Sequence, residues 1–154
     1  MTITNAGNLG MTTLACEGKR LDGEKIHVRL EQAGEFIRAL ECRQVSLVKI
    51  DVEGHEGVIL DSMQGWLQEV KPGVVLFECK VGKDGFWAEH TVTLLSSMGY
   101  EFFGYDSKPY WSARLHRVSR EMNRPWGIDF VAVCPSSLRD DVAQRIKSMT
   151  NPHA

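Results

Sequence analysis

No stretch of the chain approaches the roughly 20 consecutive apolar residues that span a bilayer, so nothing in it reads as a transmembrane helix. The opening residues, MTITNAGNLGMTTL, lack the basic region and long apolar region of a secretory signal. These two absences leave a cytoplasmic location as the expectation. Cysteine is sparse: Cys16, Cys42, Cys79 and Cys134 are the four, and no two stand at C-x-x-C spacing. That spacing argues against zinc and thioredoxin-like patterns. Cys79 and Cys134 sit in apolar runs and read as buried, reduced thiols acting as small hydrophobes. The formal charge is −2 over 154 residues, so no excess of one sign draws the whole chain to nucleic acid or to an anionic membrane. Repeats and low-complexity linkers are lacking too. Residues 1–154 therefore read as a single domain, with 1–30 a hairpin or extension and 31–154 the core.

What is present is alternation. KIHVRL has the period-two pattern of a strand, and LEQAGEFIRALEC carries Ala33, Phe36, Ile37 and Leu40 at helical spacing. VSLVKID is short and continuously apolar, as a buried strand would be. Ile59, Met63, Trp66, Leu67 and Val70 then define one helical face that Lys71-Pro72-Gly73 stops. VVLFEC is a second buried strand, WAEHTVTLLSSMG a helix capped by Gly99, YEFFGYD a third strand and IDFVAVC a fourth. Leu138, Val142, Ile146 and Met149 make a last amphipathic helix. Strands alternating with helices predict an α/β sheet of mostly parallel strands with flanking helices. The last strand follows a long loop rather than a helix, so an antiparallel placement is open for it.

One stretch, VKIDVEGHEGVIL, places Lys49, Asp51, Glu53, His55 and Glu56 in an otherwise apolar run. An unpaired buried charge costs several kcal/mol or more, so these groups need partners or a task. Ligands of open α/β sheets bind beyond the carboxyl ends of the strands. Asp51 ends one strand, Glu53 lies just past it, and Glu78 ends the next. As parallel neighbours, these strands bring three carboxylates to one edge, and period two puts Lys49, Asp51 and Glu53 on one face. His55 and Glu56 open the following helix, whose dipole favours the Glu56 anion and disfavours a charged His55. A neutral imidazole there is a usable proton acceptor. Two structural readings stand beside this: Lys49 pairs with Asp51 or Glu78, and Glu56 serves as a helix-start residue. A metal-assisted site at Asp51, Glu53, His55 and Glu78 would suit Mg²⁺ or Mn²⁺, but local spacing enforces no coordination geometry, and no metal is assigned.

LVKIDVEGHEGVILDSMQGWL…KPGVVLFE resembles the signature of the FkbM-type methyltransferases, which are class I S-adenosylmethionine-dependent enzymes generally assigned as O-methyltransferases. The match runs through residues 49–56, 58–65 and 74–78, and NAGNLGMTTL at 5–14 is similar to the segment just upstream in that family. Glu31-Gln32 departs from the Leu-Asp-Asp start usual for the family's helix. The resemblance implies a truncated Rossmann-like methyltransferase sheet. It also implies S-adenosylmethionine as cofactor, contacted by Asp51 and Glu53, with Asp51 and His55 as catalytic residues and Glu78 shaping the acceptor site.

The family's first strand, glycine-rich turn and ribose-reading acid have no counterpart before Asn5, and the lone GNLG at 7–10 reads as a turn. Glycines let backbone approach a ligand and an acid reads ribose hydroxyls. Losing two such charged hydrogen bonds removes roughly 3–6 kcal/mol, so the expected cofactor affinity is weak unless another polypeptide completes the pocket.

Residues 108–126, KPYWSARLHRVSREMNRPW, carry five basic residues against one acid, with Tyr110, Trp111 and Trp126 interleaved. They read as a solvated loop with docked tryptophans, or as an acceptor-binding lid using Tyr110, Trp111, Arg114 and Arg117. A contact with single-stranded nucleic acid is the least favoured reading.

The function expected from all this is methyl transfer to an oxygen of a small molecule or glycan. The alternative is a non-catalytic remnant of the fold acting as an interaction module. A bare edge on the strand at 45–51 also predicts a homodimer, through that strand or the N-terminal 30 residues.

Overall fold

The computed structural model describes residues 29–52, 54–106 and 114–150, together with three two-residue strands nearer the N-terminus. Those strands, β1 (Thr2–Ile3), β2 (Thr12–Thr13) and β3 (Glu24–Lys25), form a small antiparallel sheet with β1 in the middle. The main body follows as α1 (Ala33–Ala39), β4 (Leu47–Ile50), α2 (Glu56–Val70), β5 (Val74–Glu78), α3 (His90–Ser97), β6 (Glu101–Asp106), β7 (Arg114–Arg117), β8 (Asp129–Val133) and α4 (Asp140–Thr150). No helix among the described residues is long and apolar enough to cross a membrane.

The five strands of the main sheet lie in the order β4-β5-β8-β6-β7. This corrects the expectation of a mostly parallel sheet. Only β4 and β5 are parallel neighbours, while β5–β8, β8–β6 and β6–β7 are antiparallel. The cause lies in the connections. β4, β5 and β6 run the same way because α2 and α3 carry the chain back between them, as parallel strands require. After β6 the chain descends as β7 and climbs again without a regular helix. It therefore re-enters at the edge where β5 ends, and β8 runs down between two strands that run up. β7 is a strand within a stretch, 108–126, whose sequence predicts a loop.

Helices α1, α2 and α3 cover one face of the sheet. Leu60, Met63, Trp66 and Leu67 of α2 meet Ile50, Val75 and Phe77 there, with Phe86, Phe102 and Phe130 packed edge-on and tilted beside them. α2 stops at Lys71, which takes the left-handed conformation at φ 46°, and the Tyr100 hydroxyl donates to the Pro72 carbonyl at 2.7 Å just beyond it. α1 lies so close to α2 that Gly34 faces the Ser62 carbonyl with no room for a side chain. On the other face Phe103, Leu115, Val131 and Val133 form a smaller cluster, covered only in part by Leu138 and Ile146. Cys79 and Cys134 are buried free thiols, whereas Cys42 is exposed; Cys16 lies outside the described residues.

β4 stands at the edge of the described sheet, as the bare edge expected of the strand at 45–51 requires, but it is only half buried, with Leu47 and Lys49 exposed and Ile50 turned into the core. Among the described residues only β5 lies beside it and no helix covers the Lys49 face, so the strand leaves its charge in water.

Candidate functional site

The carboxyl ends of β4 and β5 meet at one edge of the sheet. Their register pairs Lys49 with Leu76 and Ile50 with Phe77, which brings Asp51 and Glu78 to the same rim. β8 starts at that rim, and its first residue, Asp129, is the register partner of Glu78. β6 ends there too, with Tyr105 opposite Leu115 of β7. Together these residues bound an open hollow of about 460 Å³ on the sheet face that α4 leaves uncovered. Its floor is apolar, from Leu76, Leu115 and Val131, and its rim carries Lys49, Asp51, Glu78, Asp129 and Tyr105.

Lys49 and Asp51 form an exposed pair, with Nζ donating to Oδ2 at 2.8 Å. The Asp51 hydrogen bond, then the Asp51 charge and to a lesser degree the Asp129 charge raise the Lys49 ammonium above its ordinary pKa, against a small opposing effect of burial. The hollow is thus lined by three carboxylates and Lys49 over a greasy floor, with Lys80 set against Glu78 from outside it. Such a site suits a ligand that is cationic at one point and flat or apolar elsewhere.

The turn after β4 is set by Glu56. It is 6 % exposed, and its Oε1 accepts from the backbone N–H groups of Val52 at 3.4 Å and Gly54 at 3.3 Å. Gly54 takes φ +96°, a conformation open to glycine, and the turn hands the chain to α2. Glu56 thus serves the fold, as its helix-start reading held. His55 is the N-cap residue of α2 and makes no side-chain cap; it is half-buried and lines neither the main hollow nor the one beside α3. Glu53 lies outside the described residues. Among the described residues no group of three or more His, Cys, Asp or Glu side chains is placed to hold a metal ion.

Glu78 also lines a second, smaller hollow of about 210 Å³ with Gly54, Glu56, Cys79, Glu89 and His90. Lys80 Nζ lies 3.2 Å from Glu78 Oε1. His90 Nε2 is 2.7 Å from Asp61 Oδ1 at the mouth of this hollow. Burial, with the charges of Glu89 and Glu56, pushes the Cys79 thiol up to about 12.

The basic segment is divided by the fold. Tyr110 and Trp111 lie outside the described residues. Arg114 is the register partner of Asp106 and stands at the same edge as Asp51 and Glu78, whereas Arg117 lies at the far end of β7 and pairs with Glu101 at 3.0 Å. Arg120 stacks over the Trp87 ring at 4.0 Å and donates to Ser96, and Arg124 donates to the Gly82 carbonyl. These three arginines therefore pin the climb from β7 to β8. Trp126 is 84 % exposed and docks on no core.

Asp129 and Tyr105 are the rim residues that sequence reasoning missed. An antiparallel last strand starts at the edge where its parallel neighbours end, so the open question about its direction was the signal that could have found Asp129.

Residues 10–102 match the family model described as the Methyltransferase FkbM domain, more than half of the chain. The chain belongs to the FkbM methyltransferase domain family. The matched segment contains the whole FkbM stretch from β4 through α3 and ends inside β6, so Asp51, Glu78 and the turn held by Glu56 fall within it. Asp129 lies beyond it. No curated protein and no solved structure matches the chain.

Proposed function

We propose that this FkbM-family chain supports S-adenosylmethionine-dependent methyl transfer to a hydroxyl of a small molecule or glycan, with Asp51 at the reacting centre. The observation that carries the reading is the convergence of Asp51, Glu78 and Asp129 on one apolar-floored hollow at the carboxyl edge. The donor set offers carboxylate oxygens to a sulfonium, with Lys49 and Lys80 already set against Asp51 and Glu78, and the Leu76, Leu115 and Val131 floor accepts its apolar surroundings. When bound, the cofactor supplies an electrophilic methyl group.

The chain's own residues do the rest. Asp51 would accept a hydrogen bond from the acceptor hydroxyl, align its oxygen and take its proton. Lys49 holds the Asp51 side chain in place through their 2.8 Å contact. Glu78 and Asp129 hold positive charge at the rim, and Tyr105 offers a flat wall to the acceptor. His55 opens the helix beyond Asp51, and Arg114 stands at the acceptor side of the same edge.

Isothermal titration with S-adenosylmethionine tests this. The expected result is measurable heat for the wild-type chain and no detectable heat for Asp51→Asn. Equal heats for both proteins would overturn the role of Asp51. A complete lack of binding would favour the second reading, an interaction module of the same fold. That reading draws on the apolar side chains bared on the β4 side.

A further inference from the structure

The β4 side of the molecule is unlike the rest of its surface. β4 is an edge strand of the described sheet, and Leu47 on it is 53 % exposed. α1 buries Gly34 and half-buries Ala33 and Ile37, yet leaves Phe36 and Leu40 each 55 % exposed, with Leu30 just ahead of it at 70 %. An edge strand flanked by bared leucine and phenylalanine is a template for pairing with another chain, and stable proteins cover such edges.

We infer that this side binds a second copy of the same chain across a two-fold axis, with β4 pairing antiparallel to its own mate. Two observations select that occupant. A two-fold places identical strands side by side in opposite directions, so the outward backbone groups of each β4 meet those of its mate and the two sheets become one. The exposed charges of residues 29–43 also balance: Arg29, Arg38 and Arg43 against Glu31, Glu35 and Glu41, with Arg29 and Glu31 paired to one another. A surface with equal numbers of both signs gives no preference for nucleic acid or for an acidic or basic partner. It meets a copy of itself without net repulsion. At roughly 100 Å² for each bared side chain, Leu30, Phe36, Leu40 and Leu47 present on the order of 400 Å², about half of the ~800 Å² per partner of a stable interface. The strand edge and the charged rim supply the remainder. Asp51 follows β4 directly, so the same contact buttresses the strand that carries it.

Light scattering on a size-exclusion column decides the matter, because it needs neither cofactor nor acceptor. At about 50 μM, a concentration that populates any contact of micromolar affinity, the expected mass is twice 17.3 kDa. Leu47→Glu and, separately, Phe36→Glu should each halve that mass while leaving the circular dichroism spectrum unchanged. Met149→Glu, on α4 beside β7 at the other edge of the sheet and 39 % exposed, should leave the dimer intact. A monomeric wild type overturns the inference, and so does a dimer that survives both edge substitutions. Should an edge variant fail to fold, Leu40→Lys on the outer side of α1 gives the same reading.

Discussion

Replacing Gly34 by alanine measures how closely α1 lies on α2. Alanine within a helix normally gains up to about 1 kcal/mol over glycine. Here the added methyl would run into the Ser62 carbonyl oxygen and stand 2.8 Å from its carbon. Backbone cannot rotate aside as a side chain can, so α1 must withdraw by about 1 Å or more. That withdrawal loosens Ala33 and Ile37 from the core they pack against. Overpacking of this kind costs typically about 1–3 kcal/mol, and more where backbone must move. Set against the helical gain, a net loss of about 1–2 kcal/mol follows, or a fall of roughly 3–8 °C in Tm for a chain of this size. The internal control is Gly65→Ala on the facing helix. Its methyl would meet only Arg38 Nη2, at 2.7 Å, the tip of a flexible side chain. That substitution should be neutral or stabilising by up to about 1 kcal/mol. Thermal and urea unfolding followed by circular dichroism compare the two. Equal stabilisation by both substitutions would refute the close approach of the helices.

Asp51→Asn should leave the melting temperature essentially unchanged, because the Lys49–Asp51 pair is exposed; a large drop would mean that Asp51 supports the fold. Alkylation of the native protein near pH 8 should modify Cys42 and spare Cys79 and Cys134, as mass spectrometry of the labelled peptides would show. The Cys79 thiol is raised from 9.0 to about 12 on folding, so the unfolded chain gives up this proton first, and stability should decline as pH rises from 9 towards 12. Cys79→Ala should flatten that decline, and an unchanged slope would deny its cause. Tyr100→Phe leaves the Pro72 carbonyl without its 2.7 Å donor in a buried place, and should cost about 1–2 kcal/mol in urea unfolding.

The helices and most strands were legible because their signals are local. Leu60, Met63 and Leu67 recur on one face of α2, and Lys71-Pro72-Gly73 ends it where the pattern said. Strand neighbours are not written locally. VSLVKID looks the same at the centre of a sheet as at its edge, so the exposure of Lys49 could not be read from it. RLHR holds one buried residue, Leu115, too little to announce β7. The site divides along the same line. Asp51 and Glu78 were found because each ends its own strand, whereas Asp129 belongs to the rim only through the direction of β8. The basic residues of 108–126 looked alike as a run. Their roles separated once Arg117 met Glu101 and Arg120 met Trp87.

The place of β8 has a consequence for how the chain is made. β8 sits between β5 and β6 yet lies more than 50 residues after β5 and begins only at Asp129. During synthesis, β5 and β6 emerge with Phe77 and Phe102, and the strand that lies between them follows only when residues 129–133 have left the ribosome. Central pairings of such long sequence separation are slow to close, and unpaired apolar strands in the interval are prone to associate with other chains. Quality control of this sheet thus falls on a strand made after its neighbours. A nonsense codon or proteolytic cut before residue 129 removes the middle of the sheet rather than a tail, and leaves the carboxylates of β4 and β5 attached to a body that cannot close.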